Sequence, residues 1–222
     1  MTDKFLNKYR IPSARWQLWD YSSEGLYFIT INVVNHEYLF GTITDKKMFL
    51  SEYGQIADDE WNKSFEIRSE LFCETYVIMP NHIHAILRIE KPVQPHGSAD
   101  EINNIRYVEP HGCADEINNI RADEINNIRD EINNIRYVEP HGRAALRGTG
   151  VAFREPKSIS SFVAGFKSAV TAGINTLRQS KGTPVWQERF HDHVIRDYEE
   201  CRRIGAYIDS NIENWKEDRY YK

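Results

Sequence analysis

The chain is poor in cysteine: its 222 residues hold three, Cys73, Cys113 and Cys201, which form neither an even set nor a CxxC pair. That excludes a disulfide framework and a cysteine-only zinc site, and makes a reducing cytoplasm the expected compartment. No apolar run approaches the roughly 18 to 20 residues of a membrane span, so no membrane partner is expected. The opening residues, MTDKFLNKYRIPSARW, have no apolar segment of the secretory kind. An excess of positive charge is also missing, since 28 Lys and Arg against 33 Asp and Glu leave a net of −5. Taken whole, that balance argues against a nucleic-acid partner, because phosphate binding needs concentrated Lys and Arg. What the chain does have is aromatic bulk, with 12 Tyr, 10 Phe and 5 Trp, enough to fill the core of one ordinary domain.

The acidic charge is unevenly placed. Residues 92–142 hold 4 basic and 10 acidic residues, so the rest of the chain carries a net of +1 and the objection to nucleic acid falls away. The same stretch repeats DEINNIR four times, at 100–106, 115–121, 123–129 and 130–136, and YVEPHG twice, at 107–112 and 137–142. Spacings of 7 to 15 residues are too short for solenoid units of roughly 20 to 50, and each unit offers only two isoleucines. The expected organisation is therefore one domain in two halves, 1–91 and 143–222, split by a low-complexity repeat insertion at 92–142. That insertion is expected to be flexible and to hold no catalytic residue.

Periodicity assigns elements to the two halves. LYFITINV at 26–33 alternates with Tyr27, Ile29, Ile31 and Val33 on one face, a half-buried strand. Residues 45–68 carry Met48, Tyr53, Ile56, Trp61 and Phe65 in a helical stripe. LFCETYVIM at 71–79 and HIHAILRIE at 82–90 read as strands joined through Pro80-Asn81 in a hairpin. After the insertion, 158–178 is an amphipathic helix with Ser158 as N-cap, and 185–196 is extended. A last helix opens with Asp197 and Glu200 as a capping box and runs to about Asn211. The expected class is α+β, a mainly antiparallel sheet with helices packed on it.

Within HIHAILRI the strand period puts His82 and His84 on one face and Ile83, Ala85, Leu87 and Ile89 on the other. Histidines two apart on a strand lie about 6 to 7 Å apart at Cα and can converge on one metal, or can equally be outer-face polar residues. A third ligand must come from elsewhere. On the last helix Arg203, Tyr207 and Asn211 share a face at i, i+4, i+8, which fits either a site or a core tyrosine followed by a C-cap. His191 and His193 form a second HxH pair, a rival metal site or the polar groups of an edge strand.

These residues resemble those of the REP-associated tyrosine transposases, a branch of the single-tyrosine HUH endonucleases and transposases. The matching stretches are RIPSARWQLWDYSSEGLYFITINVVNHEYLFG, TYVIMPNHIHAILRI, GFKSAVTAGIN, VWQERFHDHVIRD and YIDSN, covering most of 10–90 and 158–215. The family often continues with proline after the YIxxN asparagine, where this chain has Ile212. The resemblance implies an HUH endonuclease fold of ferredoxin-like type. It also implies that His82 and His84 are the HUH histidines around a bulky Ile83, that Tyr207 is the nucleophile, and that Asn211 completes a site for Mg²⁺ or Mn²⁺. The implied reaction is cleavage and rejoining of single-stranded DNA near hairpins through a 5′-phosphotyrosine.

Such a site needs single-stranded or hairpin DNA. Lys4, Lys8, Arg10 and Arg15 interleave with Trp16 and Trp19, a basic and aromatic mixture able to hold phosphates and stack bases. Lys167 and Arg203 are candidate DNA contacts further along, with Lys157, Arg178 and Lys181 as an extension of that surface. The chain is expected to act as a monomer or homodimer. Two other functions stay open at this level: a hairpin-binding protein without catalysis, and a zinc hydrolase using both HxH pairs.

Overall fold

The computed structural model describes residues 20–90 and 156–222, together with the backbone of two short paired strands, Lys4–Phe5 (β1) and Lys8–Tyr9 (β2). The DEINNIR repeats lie outside the described residues. Among the described residues no helix is long and apolar enough to cross a membrane.

A four-stranded antiparallel sheet carries the fold. Its strands are Gly25–Asn32 (β3), Leu71–Met79 (β6), His82–Ile89 (β7) and His191–Ile195 (β8), in the order β6-β7-β3-β8. β6 and β7 form the hairpin expected through Pro80-Asn81, and all 8 residues of β3 pair with β7. Alternation then sorts the side chains. Tyr27, Ile29, Ile31, Ile83, Ala85, Leu87 and Ile89 enter a large core, while Phe28, Val77, Met79, Ile86 and Ile195 enter a smaller core on the opposite face.

Helices cover both faces. Ile159–Leu177 (α2) buries Ile159, Phe162, Val163, Phe166, Val170 and Ile174 in the large core, after Ser158 Oγ accepts from the Ser161 amide at 3.2 Å as N-cap. Glu52–Glu66 (α1) packs beside it through Trp61, whose ring contacts Phe65, Tyr76, Phe162 and Phe166 at centroid distances of 5.1–5.5 Å. Tyr198–Ser210 (α3) covers the smaller core with Cys201, Ile204, Tyr207 and Ile208. Its N-cap is Asp197, which accepts from the Glu200 amide at 2.8 Å; the Glu200 carboxylate in turn accepts from the Arg196 amide rather than from Asp197 as a reciprocal box would have it. Cys73 is a free thiol.

One element differs from the periodic reading. The stripe over 45–68 is a helix only from Glu52; before it, Gly41–Thr44 (β4) and Lys47–Leu50 (β5) form a hairpin that places Met48 in a strand. Asp45 and Lys46 turn it with φ of 53° and 58°. Ser51 ends the hairpin and starts the helix: its Oγ donates to the Leu39 carbonyl at 2.7 Å and accepts from the Gly54 amide at 3.1 Å. The helix start is pressed against the backbone, since a Cβ at Gly54 would stand 2.1 Å from the Phe40 carbonyl oxygen, which itself accepts from the Ser51 amide.

Gly54→Ala therefore inverts the usual helix rule. Alanine is favoured over glycine in a helix by about 1 kcal/mol, but here overpacking should cost roughly 1–3 kcal/mol and displace the Phe40 carbonyl. Thermal unfolding should show a lower midpoint; a higher one would mean that this approach of α1 to Phe40 is wrong.

Candidate functional site

The site is built on the register of β3 and β7. His82 stands opposite Asn32 and His84 opposite Thr30, all four on the face covered by α3. Both histidines are buried, His82 fully so. Each ring is held through Nδ1. Thr30 Oγ1 lies 2.8 Å from His84 Nδ1, and Asn81 Oδ1 lies 2.8 Å from His82 Nδ1. The orientation of Asn81 follows from its other partners, because its Nδ2 donates to the carbonyls of Tyr220 at 2.7 Å and His36 at 3.3 Å. Its oxygen can then only accept, so His82 carries its proton on Nδ1 and presents a lone pair on Nε2.

α3 and the segment after it close the other side. The Tyr207 hydroxyl lies 3.2 Å from His84 Nε2 and hydrogen-bonds to it. Phe28 supports both rings, stacked on His84 at 5.3 Å and edge-on to Tyr207 at 6.4 Å. Asn211 is buried at the C-cap of α3, and its Oδ1 has no hydrogen-bond partner. Beyond a 3₁₀ turn at Trp215–Glu217, buried Asp218 brings Oδ2 to 3.9 Å from His82 Nε2, and the Tyr220 ring lies 4.7 Å from that of His82.

The donors of this group fit a divalent metal. One ligand atom from each of His82, His84 and Asp218 can be chosen so that all lie within 4.8 Å of one another, the one such cluster of His, Cys, Asp or Glu among the described residues. His82 Nε2 and Asn211 Oδ1 are buried without a hydrogen-bond partner, an arrangement that costs free energy unless something else coordinates them. Two imidazoles and a carboxylate suit the harder divalent metals.

Electrostatics keep the imidazoles neutral. Burial first, then the neighbouring His36, lowers the His82 pKa to about 3. Burial also holds His84 well below its usual value, with His82 and His191 adding to the fall and Asp218 opposing it. Neutral rings are the form that ligates metal.

The remaining expected residues fall elsewhere. Register sets His191 opposite Thr30 and His193 opposite Phe28, on the same face as His84. His193 Nε2 donates to Glu200 at 2.8 Å, and among the described residues no cluster unites the two histidine pairs. Lys167 donates to the carbonyls of Gln187 at 2.8 Å and Arg189 at 3.1 Å, tying α2 to the approach of β8. Arg203 is half-buried on α3. The side chains of Lys4, Lys8, Arg10, Arg15, Trp16 and Trp19 lie outside the described residues. Sequence reasoning missed Asp218, Asn81 and Thr30. Asn81 precedes the first histidine and Thr30 faces the second, so strand pairing could have found both; nothing in WKEDRYY marks Asp218.

No family model matches the chain. It is 28% identical over 209 residues to an uncharacterized protein of Haemophilus influenzae, covering 94% of this chain and 92% of that one. It is also similar to a solved REP-associated tyrosine transposase bound to a REP hairpin, with a TM-score of 0.45 and 15% identity over 86% of this chain and 68% of the other. That likeness is too distant to assign residues by superposition.

The buried imidazoles predict how the metal-free protein responds to acid. Below pH 6.5 the unfolded chain takes up protons that native His82 and His84 do not, and His191, lowered to about 4 chiefly by burial, behaves the same way. Above pH 6.5 these groups contribute no pH dependence. As pH falls from 6.5 toward 3, each fully buried histidine should remove ~1.4 kcal/mol per unit. Melting midpoints measured in EDTA should be nearly level between pH 8 and 6.5 and drop steeply between 6.5 and 4.5; a midpoint that rises on acidification would show that the rings are charged in the fold.

Proposed function

We propose that this protein is a metal-dependent DNA endonuclease and strand transferase of the tyrosine transposase type, acting on single strands near hairpins. The observation that carries the reading is the Tyr207 hydroxyl 3.2 Å from His84 Nε2, beside an imidazole pair whose other member turns an unpartnered Nε2 toward Asp218. A buried phenol set against two neutral histidines and a carboxylate suits phosphodiester transesterification. Hydrolysis by a four-histidine zinc centre would instead need the second pair, whose His193 is engaged with Glu200.

The metal would be held by His82 and His84, with Asp218 and Asn211 as further oxygen donors. When bound, Mg²⁺ or Mn²⁺ would supply charge neutralisation at the scissile phosphate. The protein's part is positioning. Thr30 and Asn81 fix the two rings, and Phe28 packs against both His84 and Tyr207, so the nucleophile cannot drift from the pair. A free phenol has a pKa of roughly 10 and must lose its proton to attack. As the Tyr207 Oη–P bond forms, the P–O3′ bond breaks, and the proton given up by the phenol is balanced by the one the leaving 3′-oxygen takes up. The product is a 5′-phosphotyrosine and a free 3′-OH. Because the covalent bond conserves the phosphodiester, a second 3′-OH can reverse the step and join strands without a nucleotide cofactor.

Incubation of the protein with single-stranded hairpin DNA and Mn²⁺ should give a protein–DNA adduct that survives denaturant. Tyr207→Phe removes only the nucleophilic oxygen, so the adduct should fall by at least about a thousandfold while the variant stays folded. Cleavage with two free products and no adduct would replace this reading with metal-assisted hydrolysis.

A further inference from the structure

Asn32 is fully buried, and neither its Oδ1 nor its Nδ2 has a hydrogen-bond partner. This is the most anomalous polar group in the sheet, because a buried primary amide ordinarily satisfies both ends. Its place in the fold is not accidental to the site. Strand alternation puts Asn32 on the face of Phe28 and Thr30, which hold Tyr207 and His84, while its neighbours Ile31 and Val33 enter the large core. It is the direct cross-strand partner of His82, at a spacing of about 4.5–5.5 Å between Cβ atoms. Yet it bonds to neither ring nitrogen: His82 Nδ1 is taken by Asn81, and Nε2 has no partner. The β8 pairing stops at Thr30 opposite His191, so Asn32 lies two residues beyond it, paired with β7 on one side while its backbone carbonyl accepts from the Gln187 amide at 2.9 Å on the other.

We infer that Asn32 is a phosphate-binding residue of this site. Its Nδ2 donates to a non-bridging oxygen of the scissile phosphodiester, and its Oδ1 accepts from a water in that phosphate's shell. The inference rests on the proposed function and adds a neutral amide from the central strand, the cross-strand partner of His82. A neutral amide suits the role because its Nδ2 can donate to the anion and it carries no negative charge to repel it. An apolar side chain of similar volume would fill the same space more stably in the resting protein, so the amide is retained at a cost in stability that ligand binding recovers.

The test uses the full chain carrying Tyr207→Phe, which should bind without cutting, and adds Asn32→Leu or Asn32→Asp. In metal-free protein Asn32→Leu should raise the melting midpoint by about 3 °C or more, since it removes an unsatisfied amide. Affinity for single-stranded dT20 in Mn²⁺, read by fluorescence anisotropy, should fall about tenfold or more in Asn32→Leu and further in Asn32→Asp, whose charge repels phosphate. A lower midpoint for Asn32→Leu would overturn the assignment, because the amide would then be satisfied within the fold. So would unchanged dT20 binding in both variants, or an Asn32→Asp variant that binds Mn²⁺ more tightly and dT20 as well as before, which would make Asn32 a metal ligand instead. If the Tyr207→Phe chain itself binds no dT20, the proposed function falls and this inference with it; if that chain binds and the Asn32 variants match it, only the inference falls.

Discussion

The pairing of β3 with β7, His82 against Asn32 and His84 against Thr30, is the interaction on which the rest of the structure depends. Side chains alternate along a strand, so a slip of one residue would send Ile83, Ala85, Leu87 and Ile89 toward α3 and drive both histidines into the large core. The register is protected from both sides. The apolar set of β7 is locked beneath α1 and α2, and Thr30 and Asn81 hold the imidazoles by their Nδ1 atoms. Hydrophobic burial and site geometry are therefore one constraint seen from two faces of the same sheet.

The face covered by α3 departs from what stability alone would choose. Phe28, Met79, Ile86, Cys201 and Ile208 make an apolar layer, and beside it are buried His82, His84, Asn32, Asn211 and Asp218. Burying that many polar groups is unfavourable unless they are paired. Some are: Thr30 with His84, Asn81 with His82, Tyr207 with His84. The atoms left over, His82 Nε2, Asn211 Oδ1 and both ends of the Asn32 amide, belong to residues from three separate elements and all lie on the α3 side of the sheet. Unpaired buried polar atoms on this face are groups a ligand could satisfy, while the aromatic cluster around Trp61 packs the other face of the sheet.

Much of this was legible in the sequence because it rests on short-range periodicity. The alternation of Tyr27, Ile29 and Ile31, the hairpin at Pro80-Asn81 and the caps at Ser158 and Asp197 each follow from local chemistry, and each is present. The β4–β5 hairpin was not, since Met48 falls in phase with the helix that follows and the Asp45-Lys46 turn lacks glycine; Ser51, a good N-cap, was the available signal. At the site, the spacing of His82 and His84 and of Tyr207 and Asn211 could be read within single elements. Asp218 and Asn32 could not, because their relevance arises only when the chain after α3 folds back and β3 finds its partner.

The central claim is that His82 and His84 form a metal centre within reach of the Tyr207 oxygen. The most direct measurement is a crystal structure of the full chain with Mn²⁺, phased to show anomalous scattering. The account predicts one strong peak bonded to His82 Nε2 and His84 Nε2, with an oxygen of Asp218 or Asn211 completing the set and the Tyr207 hydroxyl beside it. A peak at His191 and His193 with none at His82 and His84, at Mn²⁺ concentrations that support DNA cleavage, would contradict it.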